Sequence, residues 1–119
     1  MPKSDEELIK EVALDYFEGW FTGDVSRMDR ALHPDLVKRW PGNDGAASLG
    51  ITTKERMLEL TAQSEGKDDV GDGTLDVTIL DIYQDIASVA VCAGVYQEYL
   101  HLVRTSEGWK IANALWRLR

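Results

Sequence analysis

Among its 119 residues the chain has one cysteine, Cys92, and two histidines, His33 and His101. A lone thiol closes no internal disulfide, so the composition fits a reducing compartment, the cytoplasm, and no oxidised scaffold. Two histidines and one cysteine far apart in sequence offer no metal-ligand spacing, and neither a metal nor any other cofactor is expected. Cations are also short: thirteen Lys plus Arg stand against twenty-one Asp plus Glu, a net charge of −8. That balance repels polyanions, so nucleic acid is not expected as a partner. No stretch approaches the length of a membrane span, and the acidic segment Met1 to Glu11 lacks the apolar core of a secretory signal, so no membrane partner is expected. There is no Gly-x-Ser-x-Gly elbow for a nucleophilic serine and no glycine-rich phosphate loop after a strand. Asp68, Asp69, Asp72 and Asp76 lie among glycines like a calcium loop, but Val70 takes a ligand position and Ile79 stands where a closing glutamate belongs; the segment reads as a solvated linker.

What is present is the material of one domain, residues 1–119: 44% hydrophobic and 29% charged residues, at a length that hides roughly two thirds of the unfolded surface. Ser4-Asp5-Glu6-Glu7 is a capping box that opens a helix. From there apolar doublets recur at helical spacing, Leu8-Ile9, Val12-Ala13, Tyr16-Phe17 and Trp20-Phe21, until Gly23 stops them. A short helix over Val25 to Leu32 ends at His33-Pro34, where His33 is placed to cap carbonyls. A strand follows over Leu36 to Trp40, then a turn-rich loop from Pro41 to Gly45. Thr52-Thr53-Lys54-Glu55 reads as a second capping box, opening a third helix to about Ser64 with Met57 inward.

The last third is strand material: Leu75 to Tyr83, Ile86 to Val95, Gln97 to Thr105 and Trp109 to Leu118. Short turns at Gln84-Asp85 and Ser106-Glu107-Gly108 make antiparallel hairpins. Helices followed by a meander give an α+β layout with the helices on one face of the sheet. In Ile86 to Val95 neither alternating face is polar, so both are covered; the helices cover one, and a second copy of the chain is the simplest cover for the other.

Tyr16-Phe17-Glu18-Gly19-Trp20 with Gly23-Asp24, then Leu32-His33-Pro34-Asp35, then Tyr99 to Val103 and Gly108 to Asn113 carry a resemblance that spans nearly the whole chain. The chain resembles the nuclear transport factor 2-like (NTF2-like) superfamily, the cystatin-like α+β roll, and within it the bacterial subgroup labelled putative lumazine-binding. The subgroup usually has Asp-Tyr-Leu-His-Leu where this chain has Glu98-Tyr99-Leu100-His101-Leu102. The resemblance implies three N-terminal helices packed in the concave face of a curved, mainly antiparallel sheet, a cone-shaped roll with a pocket between sheet and helices. It also implies a homodimer through the sheet's outer surface. The superfamily holds isomerases, cyclases, dehydratases, hydrolases and non-catalytic domains, and fold does not choose among them.

Tyr16 falls where the ketosteroid isomerases carry an oxyanion-stabilising tyrosine; Trp40 and Leu100 fall where they carry a base and a protonated aspartate, so chemistry of that kind is not expected here. The Tyr16 hydroxyl points inward, to a neighbouring polar group or to a ligand. Pairing Arg104 with Trp109 and counting along a regular ladder sets Leu100 opposite Asn113 and puts Glu98 and Asn113 on the inner face. They are either a polar pocket end, with burial raising the Glu98 pKa, or a buried pair that fixes register. A bulge near Gly108 would reverse that parity. The same count sends Tyr99, His101 and Trp116 outward to a dimer face. The pocket set is then Tyr16, Trp20, Trp40, Met57, Glu98, Leu100 and Asn113, sized for a small apolar or aromatic metabolite. Three functions remain open: a ligand-binding dimer, a small isomerase, dehydratase or cyclase with Glu98 as acid or base and Tyr16 beside it, and a dimerisation module without ligand.

Overall fold

The computed structural model describes residues 2–119; Met1, the first residue of the expected domain, lies outside them. Helix α1 (Asp5–Thr22) starts at Ser4, whose hydroxyl accepts from the Glu7 amide while the Glu7 side chain returns to the Ser4 amide, as the capping box requires. It stops at Gly23, which takes the left-handed conformation at φ 72°. Helix α2 (Val25–Ala31) is capped by Asp24, and α3 (Lys54–Ala62) by Thr53, whose Oγ1 accepts from the Arg56 amide. The second capping box expected at Thr52 does not form, because the cap is Thr53, one residue later, and Arg56 rather than Glu55 then stands at the third helical position.

Six strands form one sheet in the order β2-β1-β6-β5-β4-β3. They are β1 (Leu32–Pro41), β2 (Leu49–Thr53), β3 (Leu75–Tyr83), β4 (Ile86–Ala93), β5 (Tyr96–Thr105) and β6 (Gly108–Leu118). All pairings are antiparallel except β1 with β6, the step by which the N-terminal half joins the meander. β1 is longer than expected, since His33 and Pro34 are its second and third residues rather than the end of a helix. β2 was not expected at all: it is five residues with Leu49 and Ile51 exposed, and only Gly50 and Thr52 face inward. Its glycine is required there, because a Cβ at Gly50 would lie 2.0 Å from the Trp40 ring.

The three helices pack on one face of this curled, mostly antiparallel sheet, an α+β roll. Ile9, Ala13, Tyr16 and Phe17 of α1, Met28 of α2 and Met57 of α3 meet Val89, Val91, Leu100, Leu102, Trp109 and Ile111 in the core. In β4 the buried residues are Ala87, Val89, Val91 and Ala93, the alternation read from the sequence. The opposite, outer face stays open, with Tyr83 65%, Ile86 54% and Tyr99 51% exposed.

The ladder between β5 and β6 is regular from Thr105↔Gly108 to Leu102↔Ile111 and then skips Ala112, so that His101 pairs with Asn113, Leu100 with Ala114 and Glu98 with Trp116. This β-bulge leaves two β6 residues facing one of β5 and reverses the parity of everything beyond it. The reversal sits at Ala112, inside the strand. It turns Asn113 outward, where it is exposed, and Trp116 inward, correcting the expected positions of both.

Candidate functional site

A chain of three polar side chains crosses the packed interior. Tyr16, from the middle of α1's buried stripe, donates its hydroxyl hydrogen to Glu98 Oε2 at 2.6 Å. Lys38, from the inner face of β1, donates from Nζ to the same hydroxyl oxygen at 2.5 Å, and its ammonium lies 3.8 Å from Glu98 Oε2. All three side chains are buried. Burial raises the Glu98 pKa, with Lys38 and the Tyr16 hydrogen bond working against it; burial lowers that of Lys38, opposed by Glu98 and Asp69; and burial, then Glu98, pushes the Tyr16 phenol well above its ordinary value. Tyr16 therefore keeps its proton and acts as the bridge between an amine and a carboxyl.

Aromatic rings enclose the amine. Lys38 Nζ stands 5.1 Å from the Tyr16 ring centre, 5.8 Å from that of Trp20 and 5.5 Å from that of Trp116, the geometry of cation–π contact. Trp116 in turn packs on Trp40 at 5.6 Å between centres and edge-on to Tyr96 at 5.4 Å. Its indole Nε1 is buried and has no hydrogen-bond partner among the described residues, unlike most buried donors. Trp40 and Trp116 also line a cleft of about 370 Å³, with Pro41, Asn43, Arg117 and Leu118.

Asp69 closes the neighbouring end. Its Oδ2 accepts from Trp20 Nε1 at 3.2 Å and from the Tyr96 hydroxyl, and its carbonyl accepts from the Val95 amide. Gly66 lies so close to Trp20 that a Cβ would come within 2.5 Å of it, and Gly94 leaves room for the Asp69 carbonyl, which an added Cβ would meet at 2.2 Å. Part of the segment expected to be a solvated linker is thus latched against α1 and β5.

Of the expected pocket residues, the structure joins Tyr16, Trp20 and Glu98 around Lys38, and puts Trp40 on the cleft that Trp116 also lines. Met57 and Leu100 are buried core residues. Asn113 is on the outer face beside His101, and Trp116, expected at the dimer face, is part of the inner aromatic wall. Tyr99 and His101 do face outward, where they border clefts of about 340 and 430 Å³ on the sheet's outer surface. His33 does not cap a helix; its Nδ1 accepts from the Asp35 amide at 3.0 Å within β1. None of the four clefts described is lined by Tyr16, Met57, Glu98 or Leu100. The space assigned to a ligand between sheet and helices is occupied by the Lys38 side chain and its rings.

Lys38 and Asp69 were missed from the sequence. Lys38 was legible in principle, since Leu36, Lys38 and Trp40 alternate onto one face of a strand and the outer two are apolar. Asp69 sits among other aspartates and glycines with nothing local to single it out.

Residues 4–117 match the family described as putative lumazine-binding. The chain belongs to this family. Tyr16, Lys38, Asp69, Glu98 and Trp116 all lie inside the matched stretch, so the polar relay and its aromatic wall are part of the lumazine-binding-type domain as this chain builds it. An NTF2-like protein of unknown function from Silicibacter pomeroyi is 16% identical, with 98% of this chain and 100% of that one covered at a TM-score of 0.70. A second NTF2-like protein of unknown function, from Methylobacillus flagellatus, is 20% identical over 100% and 95% of the two chains at 0.68. A ketosteroid isomerase-like protein from Erwinia carotovora atroseptica is 20% identical over 97% and 96% at 0.60. These likenesses establish the NTF2-like, cystatin-like fold and carry no activity to this chain. No curated protein matches it. No helix among the described residues is long and apolar enough to cross a membrane.

Proposed function

We propose that this chain is a cytoplasmic, homodimeric small-molecule-binding domain that takes a small, flat metabolite at the Trp40–Trp116 end of the roll. The observation that carries the reading is the orphaned Trp116 N–H beside the Lys38 ammonium, whose three donors find one acceptor, the Tyr16 hydroxyl. Both groups call for hydrogen-bond acceptors, and the rings around them favour a flat partner. Glu98 and Asp69 leave the cluster with one more negative than positive formal charge, which favours an uncharged ligand bearing carbonyl-type oxygens over a carboxylate. Lumazine, the compound in the family's description, is accordingly the first molecule to test. Tryptophan fluorescence and thermal denaturation against lumazine and other flat amide-bearing heterocycles supply the measurement. Saturable quenching with a rise in Tm supports the reading, and no response across such a panel overturns it.

An enzyme reading has its own support. Glu98 is a buried carboxyl with a raised pKa and a hydrogen-bonded route to an amine, the setting of a general acid or base in an isomerase, dehydratase or cyclase. The Tyr16 hydrogen is already given to Glu98, so the group positioned to polarise a substrate carbonyl is Lys38. Under this reading Glu98→Gln abolishes turnover while the circular dichroism of the folded chain is kept.

A further inference from the structure

We propose that Lys38 is a covalent site, where its amine condenses with a small, uncharged aldehyde or ketone to form an imine, with Tyr16 and Glu98 relaying the proton. The inference rests on the binding reading insofar as the carbonyl compound must reach the aromatic end of the roll.

Three features of the site favour this chemistry. The first is a mismatch of donors. A lysine ammonium has three N–H groups, and among the described residues one acceptor, the Tyr16 hydroxyl, is within hydrogen-bond distance, Glu98 Oε2 lying too far away at 3.8 Å. A protonated imine on the same nitrogen has one N–H, which the Tyr16 hydroxyl satisfies. The second is the cage: the rings of Tyr16, Trp20 and Trp116 surround the nitrogen, and an iminium, bulkier and less strongly hydrated than an ammonium, loses less by leaving water for such a wall. The third is the relay. The amine must attack unprotonated, and burial already lowers its pKa.

The step balances without any further reagent. Lys38 passes a proton to the Tyr16 oxygen as Tyr16 gives its own to Glu98, leaving a neutral amine and a protonated carboxyl. The amine lone pair forms the C–N bond, and the carbonyl π electrons move to oxygen, which takes up the proton lost by nitrogen. Glu98 then returns its proton through Tyr16; the hydroxyl leaves as water as the C=N bond forms, and the carboxylate is restored beside the iminium. The side chain of Lys38 keeps 11% of its surface open, and Trp116 both borders the Lys38 cage and lines the 370 Å³ cleft, so a carbonyl compound reaches the amine only if the Trp116 ring shifts.

The experiment uses the intact chain with benzaldehyde at neutral pH, sodium borohydride to fix any imine, and peptide mapping by mass spectrometry. Benzyl alcohol, with the same ring and no carbonyl, reports reversible binding through tryptophan quenching. The expected result is modification of Lys38 at least about tenfold above Lys3, Lys10, Lys54, Lys67 and Lys110, none of which stands in an aromatic cage with a tyrosine–carboxyl relay. Tyr16→Phe, which keeps the amine and removes the relay, slows trapping by about tenfold or more. An even spread over the lysines, or a spared Lys38, overturns the proposal. If benzyl alcohol quenches while Lys38 is spared, the binding reading stands and the covalent one falls; if neither signal appears, both fall.

Discussion

Among the described residues, the Tyr16 hydroxyl alone hydrogen-bonds to both of two ionisable groups that approach each other without a direct hydrogen bond: it gives its hydrogen to Glu98 at 2.6 Å and receives one from Lys38 at 2.5 Å, across an amine-to-carboxyl gap of 3.8 Å. Tyr16→Phe removes both bonds and keeps the ring. Two buried groups each lose a hydrogen bond, and the cost is about 2–4 kcal/mol in the free energy of unfolding from urea denaturation. Glu98→Gln, which leaves a buried ammonium without its counter-charge, costs about 3–5 kcal/mol. The paired change Lys38→Met with Glu98→Gln costs less than Glu98→Gln alone, because it removes the uncompensated charge; a larger loss in the pair would mean that Lys38 contributes mainly through packing.

The same triad gives a pH signature. Lys38 has a folded pKa below its unfolded value of 10.5, so the folded chain binds fewer protons there and stability rises with pH between those two values. Glu98 has a folded pKa above its unfolded 4.5, so its contribution is present at low pH and is lost as pH climbs through the folded value. Removing the carboxylate in Glu98→Gln lets burial lower the Lys38 pKa further. The variant's stability deficit against the parent chain therefore shrinks from about pH 7 to about pH 9, as read by urea midpoints at each pH. A constant deficit would show that Lys38 does not titrate in that window.

How much of this could be read from the chain depended on whether the signal was local. The boundaries of β3 agree with the sequence reading to the residue, Leu75 to Tyr83, because β-branched alternation and a two-residue turn are adjacent in sequence. The cap at Ser4 and the stop at Gly23 are local for the same reason. The site was harder, because it depends on parity carried across a whole strand. Ala112 bulges within Lys110 to Ala114, where two alanines fit either face, so nothing in composition marks the skip. That skip exchanged the faces of Asn113 and Trp116. Lys38 shares its face of β1 with the apolar Leu36 and Trp40, but only tertiary packing of Trp20 and Trp116 turns that position into a cage.

Acid stability rests on a different cluster. Asp15 on α1 accepts from Arg30 and Arg27, which together outweigh the effect of burial and hold its carboxyl below the ordinary value of 3.8. A depressed folded pKa contributes stability that is present above the unfolded value and lost as pH falls through the folded one. Asp15→Asn therefore lowers stability by about 1 kcal/mol at neutral pH, the scale of a partly exposed ion-pair network. It also flattens the acid limb of the unfolding profile below about pH 4. Circular dichroism followed from pH 5 to pH 2 for both chains checks the slope.

Gly50 tests the aromatic wall directly. A methyl group there would meet Trp40 at 2.0 Å and push its ring off Trp116, whose centre is 5.6 Å away. Gly50→Ala is expected to cost about 1–3 kcal/mol and to reduce the near-ultraviolet dichroism that paired indoles produce. Ligand quenching should weaken with it if the Trp40–Trp116 end is the binding end.

The outer face is where the proposed dimer is tested. Tyr83, Ile86 and Tyr99 stand exposed on neighbouring strands, with grooves of about 340 and 430 Å³ beside them, an apolar surface of the kind that monomers seldom leave open. A two-fold copy would cover it with one self-complementary contact. If that copy is there, Tyr99→Arg sets like charges against each other across the contact while touching nothing in the core, since the ring is already half exposed. The parent chain is expected to sediment as a dimer at micromolar concentration, and the variant as a monomer with its unfolding free energy per chain lowered by the lost association alone. A parent chain that sediments as a monomer would refute the dimer, and a variant that stays dimeric would place the contact elsewhere.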